Sequence, residues 1–231
     1  MDWSFFTEVL VGGLLAGVMY SLVALGYVLI YKASGVLNFA QGAMVFVAAL
    51  VFAGLVEKRF PLWLAGAATL GFMVLVALAI ERVVLRPLVN QPPIALFMAT
   101  IGVAFLLEGL AQGVLGAQVH SLDIGVPDVP LEIRGVNVSK FDLFSAAVAA
   151  VLVAALALFF SKTRIGRALR AVADDHQAAL SVGIPLARIW VIVWSVAGFV
   201  ALVAGILWGC RIGVQFSLTF LALKALPVLI L

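Results

Sequence analysis

A few polar side chains interrupt the long apolar runs of this sequence, and their types and spacing could serve a solute that crosses a membrane. Glu108 is the one acidic residue inside such a run, 94–115, while Asn38 and Gln41 lie within the run 33–56. An acidic group inside an apolar helix is a candidate proton or cation site. Two amides three residues apart lie on one face of a helix, where they can line a polar path.

Both features also have structural interpretations, which the residues alone leave open. Asn38 and Gln41 could form hydrogen bonds between helices or cap a helix, and the adjacent Gly42 permits close backbone approach. Glu108 could reach the membrane interface or pair with Gln112, one helical turn further on. We predict Asn38, Gln41, Gly42 and Glu108 as candidates for a translocation path.

The residue types that carry covalent or metal chemistry are scarce. Cys210 is the single cysteine, and the two histidines, His120 and His176, lie far apart in the sequence. The sequence contains no HExxH zinc motif, no GxSxG nucleophile motif and no GxxxxGK[ST] phosphate-binding loop. We therefore predict no catalytic residues, no metal site and no cofactor, which disfavours an intramembrane enzyme.

The composition indicates that most of the chain lies in lipid. Of its 231 residues, 65% are hydrophobic and 11% are charged, whereas a soluble domain is about half apolar and about a quarter charged. The net charge of +3 arises from 14 Lys and Arg residues that are scattered almost singly. Because a nucleic-acid-binding protein clusters its basic residues, we expect the lipid bilayer, and not nucleic acid, as a partner.

Six apolar runs are long enough to cross a bilayer, which takes about 20 apolar residues per helix. None alternates with a period of two, so the runs favour helices over membrane-spanning strands. They are 9–31, 33–56, 62–80, 94–115, 143–160 and 189–210. We predict an all-α, polytopic membrane protein in which residues 1–231 form a single transmembrane domain. A shorter apolar stretch, 218–231, is expected to be the truncated start of a seventh span.

The distribution of Lys and Arg predicts the orientation of these spans. With the N-terminus outside, the inner loops 82–93 and 161–188 hold most of the basic residues that lie between spans. This distribution follows the positive-inside rule. The segment 116–141, which is rich in acidic residues, then lies outside.

The inner loop 161–188 is too long for a simple connection between two helices. Its residues 167–182 are predicted to form a short helix, which Gly183 and Pro185 end. The loop could rest on the lipid headgroups as a basic anchor. It could equally be a docking helix for a cytoplasmic partner, because adjacent acidic residues are unfavourable in a helix that only seeks lipid.

Part of this loop resembles a known docking element. The spacing Gln177-Ala178-Ala179-x-x-x-Gly183 is similar to the EAA-x-x-x-G loop of ABC importer permeases, with Gln in place of Glu. In that family the loop forms a short coupling helix, which sits in a groove of the ATPase subunit. The resemblance implies a coupling role for Arg170, Asp174, Gln177, Ala178, Ala179 and Gly183.

Three longer stretches indicate which group of ABC permeases the chain resembles. Residues 163–172 (TRIGRALRAV), residues 26–42 (GYVLIYKASGVLNFAQG) and residues 195–205 (SVAGFVALVAG) are similar to segments of the branched-chain amino acid ABC permeases. The similarity extends over nearly the whole chain and is greatest to the H-type subunits of these importers.

The resemblance implies a function and a set of partners. It implies a permease of the bacterial inner membrane, with a periplasmic N-terminus, that imports leucine, isoleucine and valine. The implied partners are two cytoplasmic ATPase subunits, which would hydrolyse ATP, a second related permease and a periplasmic binding protein. Urea or short amides are alternative cargo within the wider family. A self-sufficient secondary carrier that uses Glu108 as its coupling site is the alternative from another class of transporter.

Overall fold

The computed structural model describes residues 3–35, 37–88, 91–133 and 136–227, and for Ser4, Ile133, His176 and Gln177 it describes the backbone alone. The first helices are α1 (Trp3–Ser34), α2 (Gln41–Glu57), α3 (Leu62–Ala79) and α4 (Pro93–Leu115). An antiparallel hairpin of β1 (Pro130–Ile133) and β2 (Val136–Ser139) follows. The remaining helices are α5 (Lys140–Lys162), α6 (Arg164–Asp174), α7 (His176–Ser181), α8 (Leu186–Ile212) and α9 (Leu221–Ala225).

Five helical segments within the described residues are long and apolar enough to cross a bilayer. They are Phe5–Ser34, Leu62–Leu88, Pro93–Leu115, Lys140–Lys162 and Leu186–Ile212. The remaining predicted run, 33–56, corresponds to α2, which is apolar but has only 17 residues. The predicted all-α, polytopic architecture is confirmed, and the hairpin is a small addition that the apolar pattern did not indicate.

The junction between α1 and α2 differs from the prediction. Gly35 follows the last residue of α1 with a φ of 69°, and α2 begins at Gln41 and not at residue 33. Asn38 therefore lies in the connection between the helices, so the prediction that it shares a helix face with Gln41 is wrong. The prediction missed this turn because it extended the second span back to residue 33, across the Ser34-Gly35 pair and Asn38.

The helix that begins with α3 does not stop at residue 80. It continues as a π-helix over Ile80–Leu85 and as a short 3-10 helix over Arg86–Leu88. The first residues of the predicted loop 82–93 are therefore helical. The two arginines that suggested a loop, Arg82 and Arg86, lie in the last turns of this helix. Glu81 is buried within this extension, so Glu108 is not the only carboxylate inside a membrane-length helix.

The core is centred on α8, which packs against α1, α2 and α3 and is the most buried of the membrane-length helices. Gly205 of α8 permits a very close approach to α2. A Cβ atom at this position would lie 2.7 Å from the carbonyl oxygen of Val45 and 3.0 Å from the Cβ of Ala49. The indole Nε1 of Trp190 donates a hydrogen bond to the carbonyl oxygen of Ala33 in α1 at 3.0 Å.

One end of the bundle carries the segment that includes β1 and β2, and we call it the hairpin end. His120 pairs through its backbone with Val214, just after α8. Its ring Nδ1 lies 2.7 Å from a carboxylate oxygen of Glu57 at the end of α2. These contacts attach the segment to two helix ends, which gives it a defined position over the bundle.

The chain after α8 folds back against α2 as a 3-10 helix, Phe216–Phe220, followed by α9. Gly42 of α2 lies directly against the carbonyl oxygen of Thr219 and the side chain of Ala222. The stretch predicted as the start of a seventh span is therefore two short helices over its described part. Residues 228–231 lie outside the described residues.

Candidate functional site

Asn38 lies buried in the connection that leads into α2. Its Oδ1 accepts a hydrogen bond from the backbone N–H of Ala40 at 3.0 Å, which stabilises the turn before α2. The N-cap of α2 is Ala40, which has no side-chain capping bond, so Asn38 does not cap the helix. Its Nδ2 is also buried and has no hydrogen-bond partner within the described part of the chain. The amide oxygen of Asn38 therefore stabilises a turn, whereas its amide nitrogen has no partner among the described residues.

Gln41 is the first residue of α2, and its side chain is fully buried against α1. The amide lies directly against Gly26, where any larger residue would occupy the same space. Neither Nε2 nor Oε1 of Gln41 finds a hydrogen-bond partner among the described residues. Because a buried polar group without a partner costs about 1 to 3 kcal/mol, a purely structural role would not favour glutamine here.

Two further buried residues with polar groups were not selected from the sequence. Thr100 of α4 accepts a hydrogen bond from the backbone N–H of Phe39 at 3.2 Å, so α4 holds the connection before α2. The hydroxyl group of Tyr27 in α1, next to Gly26, is buried and has no partner among the described residues. We call Tyr27, Asn38 and Gln41 the buried polar residues. The only signal for them in the sequence was that polar types occur among apolar neighbours.

Gly42, the fourth path candidate from the sequence, has a different environment. Its backbone faces the carbonyl oxygen of Thr219 and the side chain of Ala222, with no room for a Cβ atom. This position is a close contact between α2 and the chain that follows α8. The geometry supports the packing interpretation of Gly42.

Glu108 is separated from the buried polar residues. It lies half-buried on α4, two turns beyond Thr100, which corresponds to about 12 Å along the helix axis. Within the described part of the chain it makes no hydrogen bond or ion pair, so the alternative in which it pairs with Gln112 is not found. The structure therefore does not bring Glu108 together with the other path candidates.

The loop 161–188 contains two helices and not the single helix predicted over 167–182. α6 ends at Asp174, and Asp175 is extended, with φ of −155° and ψ of 113°. α7 then begins at His176, and the carboxylate of Asp175 accepts a hydrogen bond from the N–H of Ala178 at 3.0 Å. A side chain that caps the next helix competes with continuation of the first, which explains the break.

α6 is attached firmly to the end of α5. Gly166 lies directly against the carbonyl oxygen of Phe160, so the first turn of α6 has no space for a side chain at this position. The guanidinium Nη1 of Arg170 donates a hydrogen bond to the same oxygen at 2.8 Å. In this arrangement Arg170 holds α6 in place, and the predicted coupling role remains a prediction.

The two adjacent alanines of α7 differ in exposure. Ala178 is exposed, whereas Ala179 is 3% exposed and packs inside the chain. Asp174 and Gly183 are exposed, and Gly183 has a φ of 82°, which is typical of a residue that ends a helix. Gln177 belongs to α7 by its backbone, and its side chain lies outside the description.

A crevice beside α7 contains Glu81, which sequence analysis missed because it follows the last apolar residue of its run. The crevice has a volume of about 290 Å³ and is lined by the π-helix and by the junction between α7 and α8. A carboxylate oxygen of Glu81 lies 3.5 Å from Nε of the exposed Arg86. The loop 161–188 thus rests beside a buried acidic group of α3's extension.

Comparisons with known proteins agree over almost the whole chain. Residues 9–230 match the family described as branched-chain amino acid transport system / permease component. BraD of Pseudomonas aeruginosa, a high-affinity branched-chain amino acid transport system permease protein, is 28% identical over 222 residues, which cover 90% of this chain and 72% of that protein. The corresponding LivH protein of Salmonella typhimurium is 27% identical over 231 residues, which cover 91% and 72%.

A further relative comes from Methanocaldococcus jannaschii. The probable branched-chain amino acid transport permease protein LivH of Methanocaldococcus jannaschii is 28% identical over 213 residues, which cover 85% of this chain and 64% of that protein. No solved structure matches the chain significantly.

Proposed function

Since the chain belongs to the branched-chain amino acid transport permease family, we propose that it is the membrane permease subunit of an ATP-driven importer for leucine, isoleucine and valine. The observation that carries this proposal is the family match over residues 9–230. The buried polar residues support it, because a zwitterion that crosses hydrocarbon needs polar partners to replace its water. The chain itself has a transport role, and ATP hydrolysis is assigned to a separate subunit.

The proposed complex contains two cytoplasmic ATPase subunits, a second related permease and a periplasmic binding protein. Residues 1–231 form one transmembrane domain of this complex, with the loop 161–188 as its coupling segment. The positions Asp174, Ala178 and Gly183 support this assignment, because all three are exposed and α6 of the same loop is fixed to the end of α5 by Arg170.

The proposal is tested with the assembled complex in proteoliposomes that contain ATP. We expect uptake of radiolabelled L-leucine that requires both the binding protein and an ATPase with an intact nucleotide site. Excess isoleucine and valine should compete, and excess urea should not. Uptake without the ATPase would indicate a secondary carrier, and competition by urea would indicate the alternative cargo.

The orientation makes a separate prediction in intact cells. With Cys210→Ala as background, Asp128→Cys should react with a membrane-impermeant thiol reagent, and Asp174→Cys should react only after the cells are opened. Both positions are exposed in the structure, so burial does not explain a difference between them. The reverse labelling pattern would place the N-terminus inside and would remove loop 161–188 from the ATPase.

The buried polar residues make a prediction that separates a path from structural support. Gln41→Leu should lower leucine uptake roughly tenfold or more, the effect of losing one hydrogen bond to a charged group. The assembled complex should keep its abundance, because the amide of Gln41 has no partner to lose among the described residues. Thr69→Val is the matched control, since Thr69 is buried in α3 and bonds its own helix. Loss of assembly before uptake in Gln41→Leu would show that the amide supports the fold.

A further inference from the structure

Two neighbouring cavities lie at the hairpin end, and neither contains a residue selected from the sequence as a path candidate. The larger has a volume of about 550 Å³ and lies between residues 122–128 and the ends of α5 and α8. The smaller has a volume of about 350 Å³ and lies between α1, β2 and the start of α5. Asp128 lines both cavities. The larger volume falls within the range of small-molecule sites, about 300 to 1,000 Å³.

A continuous set of polar contacts separates the two cavities. The hydroxyl of Ser139 donates a hydrogen bond to a carboxylate oxygen of Asp128 at 2.6 Å and accepts one from the N–H of Asp142 at 3.0 Å. A carboxylate oxygen of Asp142 in turn lies 2.9 Å from Nη1 of Arg211. Groups of both charges are therefore fixed within one network that joins residues 122–139 to α5 and α8.

Arg211 is in a position to bind an anion from the larger cavity. Its side chain is 33% exposed and lines the cavity. Among the contacts of the described residues, Nη1 carries both the ion pair with Asp142 and a contact with the sulfur of Met19. The guanidinium carbon also lies 5.8 Å from the centre of the Trp208 ring. Among the described residues Nε and Nη2 make no hydrogen bond, and a guanidinium group can bind a carboxylate through two parallel hydrogen bonds.

The opposite wall of the larger cavity supplies negative charge and apolar surface. Asp123 and Asp128 are exposed there and can accept hydrogen bonds from an ammonium group. Ile124, Val126 and Phe141 line the same cavity, and they offer contacts to a branched aliphatic side chain. Cation, anion and apolar surface thus occur together in one space.

We propose that the larger cavity binds a free α-amino acid with an aliphatic side chain, Arg211 holding its carboxylate and Asp128 its ammonium group. This inference rests on the proposed function, for which it supplies an entry site at the hairpin end. In that function the cavity receives the amino acid on its way to the buried polar residues.

The single native cysteine reports occupancy, because Cys210 lines the cavity. In the purified complex in nanodiscs, without binding protein, we measure how fast a small methanethiosulfonate modifies Cys210 as L-leucine is added. Leucine should slow the reaction in a saturable manner. Isoamylamine, which lacks the carboxylate, and 4-methylpentanoate, which lacks the ammonium group, should be much weaker. Val126→Cys on a Cys210→Ala background gives a second reporter, on the segment 122–128 that lines the same cavity.

Matched variants identify the groups that hold the amino acid. Asp128→Asn should raise the leucine concentration needed for protection about tenfold or more, the size expected for losing one charge-assisted hydrogen bond. Glu132→Gln removes the same charge from the neighbouring strand β1, outside both cavities, and should leave that concentration unchanged. Equal effects of the two variants would overturn the assignment of Asp128.

Cysteine protection and leucine import test the cavity and the proposed function independently. If leucine protects neither cysteine while the same complex still imports leucine, the cavity is not a binding site and the proposed function stands. If the complex does not import leucine but leucine still protects Cys210, the amino acid site stands and the proposed function is wrong. Protection by leucine and by the two analogues to the same extent would contradict recognition of a zwitterion.

Discussion

Ala178→Arg is expected to abolish leucine uptake and binding of the ATPase subunit together, while the protein inserts and accumulates at the wild-type level. Ala178 is exposed on α7, where an added guanidinium costs the permease itself little. A partner surface that fits a small side chain would instead meet a bulky cation. The measurements are co-purification of the ATPase with the membrane complex and leucine uptake by the same preparation.

Two further arginine variants serve as controls for this prediction. Ala117→Arg adds the same charge at an exposed position of the hairpin end and should leave uptake unchanged. Ala179→Arg forces an unpaired charge into a position that is 3% exposed, which costs several kcal/mol, so we expect reduced abundance of the protein. Normal uptake by a correctly inserted Ala178→Arg protein would contradict the coupling assignment, because a helix that only rests on headgroups tolerates an added arginine.

Gly205→Val is expected to destabilise the transmembrane bundle strongly. The new Cβ atom would lie 2.7 Å from the carbonyl oxygen of Val45, so α2 and α8 must separate. Overpacking in a core costs about 1 to 3 kcal/mol and more when backbone must move, and total stability is only about 5 to 15 kcal/mol. The measurement is the fraction of monodisperse protein that remains after heating in detergent.

Gly113→Val is the matched control for this effect. Gly113 is on α4, another membrane-length helix, and a Cβ atom there would meet nothing within 4 Å. Both substitutions introduce the same β-branched residue into an apolar helix, so they share any effect on helix propensity or insertion. Equal loss of stability in both variants would show that the close approach at Gly205 does not determine the stability of the bundle.

The sequence alone predicted the helices that span the length of a bilayer. Hydrocarbon leaves the backbone no alternative to internal hydrogen bonds, so long apolar runs indicate helices wherever they occur. The same argument failed at helix ends. Gly35 follows the end of α1, although the second run was predicted to begin at residue 33. The helix that begins with α3 continues as a π-helix and a 3-10 helix through Glu81 and two arginines, so local apolarity does not determine where these helices end.

The sites were predictable only as residue types. The order of residues does not show that Gly26 leaves space for the side chain of Gln41, because the two lie on different helices. It also does not show that Ala178 is exposed and Ala179 buried, since a helix of one or two turns is too short for a periodic apolar pattern. The cavities at the hairpin end combine Asp128, Asp142 and Arg211 from three separate parts of the chain. Such combinations depend on tertiary structure, which a single sequence does not reveal.

The position of α8 has a mechanical consequence. Its first residue follows α7 after a short connection, and Arg211 lies in its last turn. At 27 residues the helix is about 40 Å long, so a tilt of only about 5° at one end would displace the other by about 3.5 Å. That distance exceeds the length of the ion pair between Arg211 and Asp142. A small rotation imposed at α7 is therefore large enough to open or close a salt bridge at the other end of α8, about 40 Å away.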